Sequence, residues 1–470
     1  MHDLILRHVR VRGVDAPVDI AIDHGRITSV GAVDGAGAQE IELGGRTVVP
    51  GLWDAHVHFS QWVRTRGRLD VSGAGSVDEV AVLVRAAEPA GMLVGFGFRW
   101  ATWGAEPTAE ALDRARPAPT VLLSGDLHTS WVNTAAARAL GCAPGLLRED
   151  EAFAVQVALG ALPLPDAEVA AAVQAAAARG VVGIVDLEMD DALATWGARI
   201  ARGIDGLRVD AGFYAPLLDA RVEARAVSGT TVDGTRGLLR HGPLKIITDG
   251  SLNTRTAHCV DPYPGGGHGV QNVPAAELAE LMRRAAGAGI ACAIHAIGDR
   301  ANDIALGAFE ESGARGSIEH AQLLGPGDAD RFARLGVVAS VQPEHALDDR
   351  DVADVLWEGR THRAFPLRDL IDAGARLALG SDAPVAPLDP WIAIAAAVHR
   401  TRDARPGWHP EQAITLDEAI AASTRSRVAP GEPADLAVLD ADPRGGGPAA
   451  LRALPAALTL MGGRVTHAAL

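Results

Sequence analysis

Short segments with alternating apolar and polar positions lie at both ends of the chain. Four of them predict strands near the amino terminus: residues 3–9, 18–23, 26–31 and 41–49. Two more predict strands near the carboxyl terminus: residues 434–440 and 456–467. Neither group has enough strands for a stable sheet by itself. We therefore predict one small composite β-sandwich domain, formed by residues 1–49 together with residues 425–470.

Between the terminal segments, compact apolar stretches alternate with amphipathic helical patterns such as residues 275–288 and 301–312. Eight stretches are predicted strands: 52–58, 181–187, 207–214, 244–250, 290–297, 316–320, 336–342 and 376–382. This alternation is typical of the α/β class and predicts a TIM-like (β/α)8 barrel over residues 50–424. Such barrels carry their active sites at the carboxyl ends of the strands.

The gap between the first two predicted barrel strands is too long for a single crossover connection. It contains further strand candidates at residues 92–98 and 120–125, and helical patterns near residues 77–87 and 165–179. We predict that residues 59–180 form an inserted subdomain that caps the mouth of the barrel.

Composition and charge narrow the class of protein. Of the 470 residues, 48% are hydrophobic and 22% are charged, which is typical of a soluble globular enzyme. The net charge of −16 disfavours nucleic acid and anionic membranes as partners. Three widely spaced cysteines disfavour a disulfide framework, and the amino terminus lacks the pattern of a secretory signal. We therefore expect a cytoplasmic protein with a small-molecule substrate.

The first predicted barrel strand ends in two histidines, His56 and His58. Side chains at positions i and i+2 of a strand share a face, so both imidazoles can reach one metal ion. A His-x-His sequence also occurs by chance, so the other strand ends are needed to decide between the two interpretations. They add Lys245, His295, His320 and Asp382, and imidazole and carboxylate are common ligands of divalent metals.

Lys245 is the only lysine among the 43 lysine and arginine residues. In a chain that otherwise uses arginine, it is either a chance survivor or a position that needs a primary amine. A neutral amine reacts with carbon dioxide to form a carbamate, an anionic ligand with two oxygens that can bridge two cations. Arginine cannot form this group.

Five segments carry a family resemblance: VVPGLWDAHVHFSQW, GPLKIITDGSLNTRTAH, AIHAIGDRAND, IEHAQL and LALGSDAPV. They resemble the amidohydrolase superfamily, in particular its YtcJ-like branch, also called amidohydrolase family 3, which includes N-substituted formamide deformylases. The resemblance implies a binuclear centre in which His56, His58 and Asp382 bind one metal, and His295 and His320 bind the other. Carboxylated Lys245 would bridge the two ions, with zinc as the expected metal and iron, manganese or nickel as alternatives.

The activity that the resemblance implies is hydrolysis of a C–N bond in an amide, formamide or cyclic amide by a metal-activated water. Asp382 would carry the proton from that water to the leaving group, and its alternative role is that of a ligand only. An esterase or lactonase would use the same site. A deaminase is less favoured because such enzymes usually lack a bridging lysine, and a non-enzymatic scaffold is disfavoured by the complete ligand set.

Substrate contacts are predicted at six positions: His128, Trp131, Asn133, Asp249, Arg255 and His345. For the segment around Asn133 the alternative is a helix amino terminus with Thr129 or Ser130 as its cap. Asp249 and Arg255 have the alternative role of ordering the loop after the fourth barrel strand. Family resemblance also makes a homodimer an expectation.

Overall fold

The computed structural model describes residues 2–35, 37–89, 91–98, 100, 103–124, 129–148, 150–160 and 164–470. The chain divides into two compact units, one formed by Met1–Phe59 with Ala170–Leu470 and the other by Ser60–Val169.

The strands are β1 (Leu4–Val11), β2 (Val18–Asp23), β3 (Arg26–Gly31), β4 (Gln39–Glu42), β5 (Thr47–Pro50), β6 (Leu52–Val57), β7 (Leu69–Asp70), β8 (Leu93–Phe98), β9 (Thr120–Ser124), β10 (Thr129–Val132), β11 (Gly145–Arg148), β12 (Val181–Asp186), β13 (Arg208–Tyr214), β14 (Leu239–Ile247), β15 (Cys292–Ala296), β16 (Gly316–His320), β17 (Val338–Val341), β18 (Arg376–Leu379), β19 (Leu436–Leu439), β20 (Ala456–Met461) and β21 (Arg464–Ala468).

The helices are α1 (Phe59–Arg66), α2 (Val77–Ala86), α3 (Ala109–Ala115), α4 (Thr134–Leu140), α5 (Asp150–Gly160), α6 (Asp166–Ala177), α7 (Ala192–Ala201), α8 (Leu218–Glu223), α9 (Ala275–Gly287), α10 (Asp299–Ser312), α11 (Asp328–Leu335), α12 (His345–Asp348), α13 (Arg350–Leu356), α14 (Leu367–Asp372), α15 (Pro390–His399), α16 (Leu416–Ala422) and α17 (Pro448–Arg452). None of the helices in the described ranges is long and apolar enough to span a bilayer.

Eight parallel strands form the centre of the first unit, in the order β18-β17-β16-β15-β14-β13-β12-β6. Just past their carboxyl ends the two edge strands are joined. The Asp382 N–H donates to the His56 carbonyl and the His58 N–H donates to the Ala383 carbonyl, both at 2.8 Å. The sheet is therefore nearly closed, which confirms the predicted α/β barrel.

The helices around the barrel are amphipathic, as their spacing of apolar residues predicts. In α9 the buried positions are Leu278, Ala279, Met282 and Ala285, which recur at helical intervals and pack in the same core as the strands. Because this core fixes the strands on their outer side, the positions of the strand ends are set by packing.

Strands from both chain termini share a second sheet in the same unit, as predicted. Its order is β21-β20-β19-β5-β1-β2-β3, with β4 paired to β1. The two ends of the chain meet where β19 runs antiparallel to β5, with Val438 opposite Val48. Apolar side chains from both terminal segments are buried together there, among them Leu6, Ile20 and Leu458.

The second unit, Ser60–Val169, has its own sheet with the strand order β11-β10-β9-β8-β7. Strands β8 and β9 occupy the two segments in which the sequence predicts strands. The helical pattern at 165–179 forms α6, which begins in this unit and ends in the first. The role of the segment as a cap of the barrel stays a prediction.

Candidate metal centre

The carboxyl ends of β6, β16 and β18 bring three predicted ligands together. His56, His320 and Asp382 each offer a ligand atom, and these atoms all lie within 4.8 Å of one another. His320 and Asp382 have φ angles of 75° and 56°, so the backbone turns out of the strand direction at both residues. Such left-handed backbone at a residue other than glycine costs free energy and is often found at functional sites.

The other predicted histidines border this cluster. His58 Nε2 lies 3.4 Å from Asp382 Oδ1, the same oxygen that His56 Nε2 approaches at 3.4 Å. The His295 ring lies edge-on to the His320 ring with 4.5 Å between their centroids. Its Nε2 faces the Gly250 carbonyl at 3.2 Å. The structure thus brings all four histidines and Asp382 to one end of the barrel.

Lys245 lies in β14 with only 2% of its surface exposed. Its Nζ has no hydrogen-bond partner in the described part of the chain. Burial lowers the pKa of this amine, although the negative charges of Glu319 and Asp382 act to raise it. An ammonium that is buried without a hydrogen bond is costly, so this environment favours the neutral amine.

The protonation states of the cluster suit a divalent cation. Burial lowers the pKa of His56 to about 4 and that of His320 well below its ordinary value, so both imidazoles are neutral at pH 7. Burial acts to raise the pKa of Asp382, but electrostatic interaction with His56 and a hydrogen bond from His58 outweigh it and hold that pKa well below its usual range. Neutral imidazoles and an ionised carboxylate are the forms that ligate metals. The buried Nδ1 atoms of His58 and His320 also lack partners among the described residues, which further fits a metal centre.

Glu319 fixes the orientation of His56. Its Oε2 lies 2.8 Å from His56 Nδ1, and both side chains are at most 2% exposed. Ser317 Oγ donates a hydrogen bond to the other oxygen of Glu319. Because Nδ1–H donates to the carboxylate, Nε2 is left with its lone pair directed towards Asp382. Sequence reasoning missed Glu319, and the only local signal was an acidic residue immediately before His320 in an apolar strand.

Asp54 is a second carboxylate that the sequence reasoning missed. Its Oδ1 accepts the N–H groups of His56 at 3.1 Å and Ser381 at 2.9 Å, which ties the end of β6 to the turn that carries Asp382. Burial raises the pKa of Asp54 to about 7, although the hydrogen bonds from Ser381 oppose this shift. The neighbouring Gly380 leaves room for the contact, since a Cβ there would lie 2.8 Å from His56 N. The signal available in the sequence was its position two residues before His56.

His345 is a predicted substrate contact that the structure places against two predicted metal ligands, His320 and Asp382. Its Nε2 lies 4.0 Å from Asp382 Oδ2, and its ring is stacked on His320 at 6.1 Å and 16°. Only 7% of His345 is exposed, and its Nε2 has no hydrogen-bond partner among the described residues. The side chain is therefore available to a group bound beside Asp382.

Asp249 is fully buried next to His295 and holds loops together. Its Oδ2 accepts the backbone N–H groups of His258 and Gly298, each at 2.9 Å, and Ile297 N–H donates to its Oδ1 at 3.1 Å. This placement favours the loop-ordering alternative for Asp249. Arg255 is exposed in the loop after β14, with a φ angle of 57°.

Trp131 and Asn133 are fully buried inside the Ser60–Val169 unit. The Trp131 Nε1 donates to the Thr108 carbonyl at 2.8 Å. Asn133 caps α4: its Oδ1 accepts the Ala136 N–H at 2.9 Å and the Thr120 N–H at 3.0 Å. Its Nδ2 donates to two further backbone carbonyls. These contacts favour the alternative of a helix amino terminus for this segment.

The predicted identity of that cap is wrong. Thr129 and Ser130 lie in β10, where their backbone pairs with β9 and β11, and Asn133 itself is the cap residue. A strand that runs directly into a helix leaves the cap to the last residue before the helix. His128 lies outside the described residues.

Comparison with known proteins agrees with the site. The sequence profile of the Amidohydrolase family matches residues 39–467. A protein named as an amidohydrolase, YtcJ, from Bacillus subtilis (strain 168) is 28% identical over 91% of this chain and 90% of the relative. An N-substituted formamide deformylase from Arthrobacter pascens is 27% identical over 94% of each protein.

Among solved structures, an uncharacterized metal-dependent hydrolase from Pyrococcus furiosus is similar, with a TM-score of 0.80 and 26% identity. The match covers 94% of this chain and 99% of that one. The profile match spans nearly the whole chain, and the predicted metal ligands lie together at the strand ends. The chain therefore belongs to the amidohydrolase family, within its YtcJ-like branch.

Proposed function

We propose that this protein is a binuclear metal-dependent hydrolase that cleaves a C–N bond in an amide, formamide or cyclic amide. The observation that carries the proposal is the cluster of His56, His320 and Asp382, beside which the buried Lys245 amine has no hydrogen-bond partner among the described residues. Membership of the amidohydrolase family supports hydrolysis, and similarity to a formamide deformylase supports the C–N substrate class.

In this proposal, His56, His58 and Asp382 would hold one divalent ion, and His295 and His320 would hold the other. Lys245, as an N6-carboxylated lysine, would serve as a ligand shared by the two ions. Zinc suits a donor set of imidazole nitrogens and carboxylate oxygens, as iron, manganese and nickel also do. A carbamate on Lys245 would also remove the cost of burying an amine without hydrogen bonds.

Two divalent ions held by these residues would supply a water of lowered pKa and would polarise the scissile carbonyl. The two oxygens of Asp382 are suited to different tasks. Oδ1 faces the imidazoles of His56 and His58, each at 3.4 Å, whereas Oδ2 faces His345 at 4.0 Å. Oδ1 would therefore hold the ion, and Oδ2 would take up the proton and deliver it to the leaving amine.

His345 and Glu319 support this transfer from two sides. The unpartnered Nε2 of His345 contacts the substrate close to the proton-carrying oxygen of Asp382. Glu319 keeps His56 in the tautomer whose Nε2 is free to ligate.

The test is metal analysis together with a substrate panel. Purified protein should hold close to two divalent ions per chain, and a chelator should abolish turnover of simple amides and formamides. An esterase or lactonase is the second candidate, because the same site attacks any activated carbonyl. Turnover of esters or lactones but of no amide would replace the proposed substrate class, and full activity with one ion would exclude the binuclear centre.

A further inference from the structure

A cavity of about 500 Å³ occupies the amino-terminal half of the barrel. It lies at the end opposite the carboxyl ends of the strands, where the predicted metal ligands are. All eight barrel strands contribute to its lining. The interior of such a barrel is normally filled by branched side chains. Here small and polar side chains leave it open, among them Ala55, Asp210, Pro243, Ser317, Ser340 and Ala378. We name this space the rear cavity.

The rear cavity reaches the layer of side chains directly below Lys245. Pro243 lines it, and Lys245 is two residues further along β14, so both side chains lie on the same face of the strand. Ser317 and Glu319 have the same relationship in β16, and both line the cavity. Glu319 binds His56 and is the carboxylate that acts most strongly on the Lys245 amine. The inner end of the rear cavity therefore adjoins Lys245.

The polar groups of the rear cavity suit a small anion. Three arginines line it, and of these Arg425 is paired with Asp210 at 2.5 Å, whereas Arg315 and Arg376 are exposed. The carboxylates of Asp210 and Glu319 also line the cavity, so the lining carries a small excess of positive charge in a chain with a net charge of −16. Inside the cavity, Ser340 is 2% exposed and its Oγ has no hydrogen-bond partner among the described residues. A buried hydroxyl of this kind needs a bound polar molecule to satisfy it.

We propose that the rear cavity takes up hydrogencarbonate and delivers it, as carbon dioxide, to Lys245. This inference rests on the proposed function, since it requires Lys245 to be carboxylated. Hydrogencarbonate loses hydroxide to give carbon dioxide, and the lone pair of Nζ then forms a bond to its carbon. One N–H proton leaves and neutralises the hydroxide, so the net change is amine plus hydrogencarbonate to carbamate plus water.

The experiment measures how fast the carbamate forms. Protein stripped of metal in buffer free of carbon dioxide is given ¹³C-labelled hydrogencarbonate and a divalent metal, and the ¹³C resonance of the carbamate is followed with time. Ser340→Leu places a branched side chain opposite Glu319 and narrows the inner end of the rear cavity, whereas the matched control Ser340→Ala removes the hydroxyl and adds no bulk. We expect Ser340→Leu to slow labelling at least about threefold, because the side chain obstructs the approach to Lys245. Ser340→Ala should label nearly as fast as the unaltered protein, and both variants should reach the same final level.

Two further variants keep the inference testable where Ser340→Leu does not fold. Ala378→Leu narrows the same end of the cavity from the neighbouring strand, with Ala378→Ser as its control. Arg315→Gln together with Arg376→Gln changes only exposed positions and should slow labelling at low ionic strength. If the folded leucine variants and the arginine variant all label at the unaltered rate, the rear cavity is not the route and the inference is wrong. An unaltered protein that never forms a carbamate, or a Lys245→Arg variant that labels equally, instead overturns the proposed function itself.

Discussion

Replacing Glu319 with glutamine should weaken metal binding although Glu319 is not itself a ligand. In the structure Glu319 Oε2 lies 2.8 Å from His56 Nδ1, and both groups are buried. A hydrogen bond to a charged acceptor is roughly twice as strong as one to a neutral acceptor, so glutamine would lose on the order of 1 kcal/mol. The glutamine amide can also turn its NH2 towards Nδ1, which forces His56 into the tautomer whose Nε2 carries the proton. We therefore expect a loss of about 10- to 100-fold in metal affinity.

The assay is a competition titration against a chelator of known affinity, with thermal unfolding as a check on the fold. Glu310→Gln is the matched control, because it makes the same chemical change at an exposed glutamate paired with Arg334. That variant should bind metal as the unaltered protein does. A well-folded Glu319→Gln protein with unchanged metal affinity would refute the orientation of His56 by this carboxylate.

Three other outcomes follow from the same site. Lys245→Arg should lose activity and bound metal, because a guanidinium cannot form a carbamate. Lys245→Ala should also be inactive but partly rescued by acetate or formate. An active Lys245→Arg enzyme with normal metal content would contradict both expectations. Asp382→Asn should lower turnover at least about 100-fold, and unchanged turnover at normal metal content would make Asp382 a ligand only. Burial lowers the pKa of His56 from 6.5 to about 4 in the folded protein. As the pH falls, His56 is therefore protonated in the unfolded chain before it is protonated in the folded one. The metal-free protein should therefore lose stability as the pH falls from 6.5 to about 4, and a flat thermal unfolding midpoint over that range in chelator would contradict the neutral state of His56.

The barrel and its ligands could be predicted because their signals are local. The predicted strand at 316–320 coincides with β16, and the one at 181–187 differs from β12 by a single residue. A buried parallel strand is a continuous apolar run, so a histidine at its end stands out against that background. His295 is such a case, since β15 reads Cys-Ala-Ile-His-Ala. The fold class alone then predicts where the site lies.

The residues that the sequence reasoning missed act across large separations in the chain. Glu319 meets His56, 263 positions away, and Asp54 meets Ser381, 327 positions away. No spacing along the sequence reveals such pairs, because only the closure of the barrel brings β6 beside β18 and opposite β16. Asn133 illustrates the opposite difficulty. A buried asparagine that caps a helix and an asparagine in a pocket have the same local sequence, and only its four backbone partners distinguish them.

The choice of Asp382 rather than Asp54 as the proposed proton carrier depends on the surroundings of each carboxylate and not on residue type. Both are buried aspartates at adjoining strand ends. Asp382 is surrounded by imidazoles, which hold its pKa well below the usual range, so it is in the ionised form that a metal ligand needs. For Asp54, burial is the largest effect and the charge of Asp382 adds to it, so its pKa rises to about 7 even though Ser381 and His56 donate to it. Each ionised carboxylate thus makes the other harder to ionise. Asp54, whose Oδ1 is occupied by two backbone N–H groups, holds the ends of β6 and β18 in place, while Asp382 is left to react.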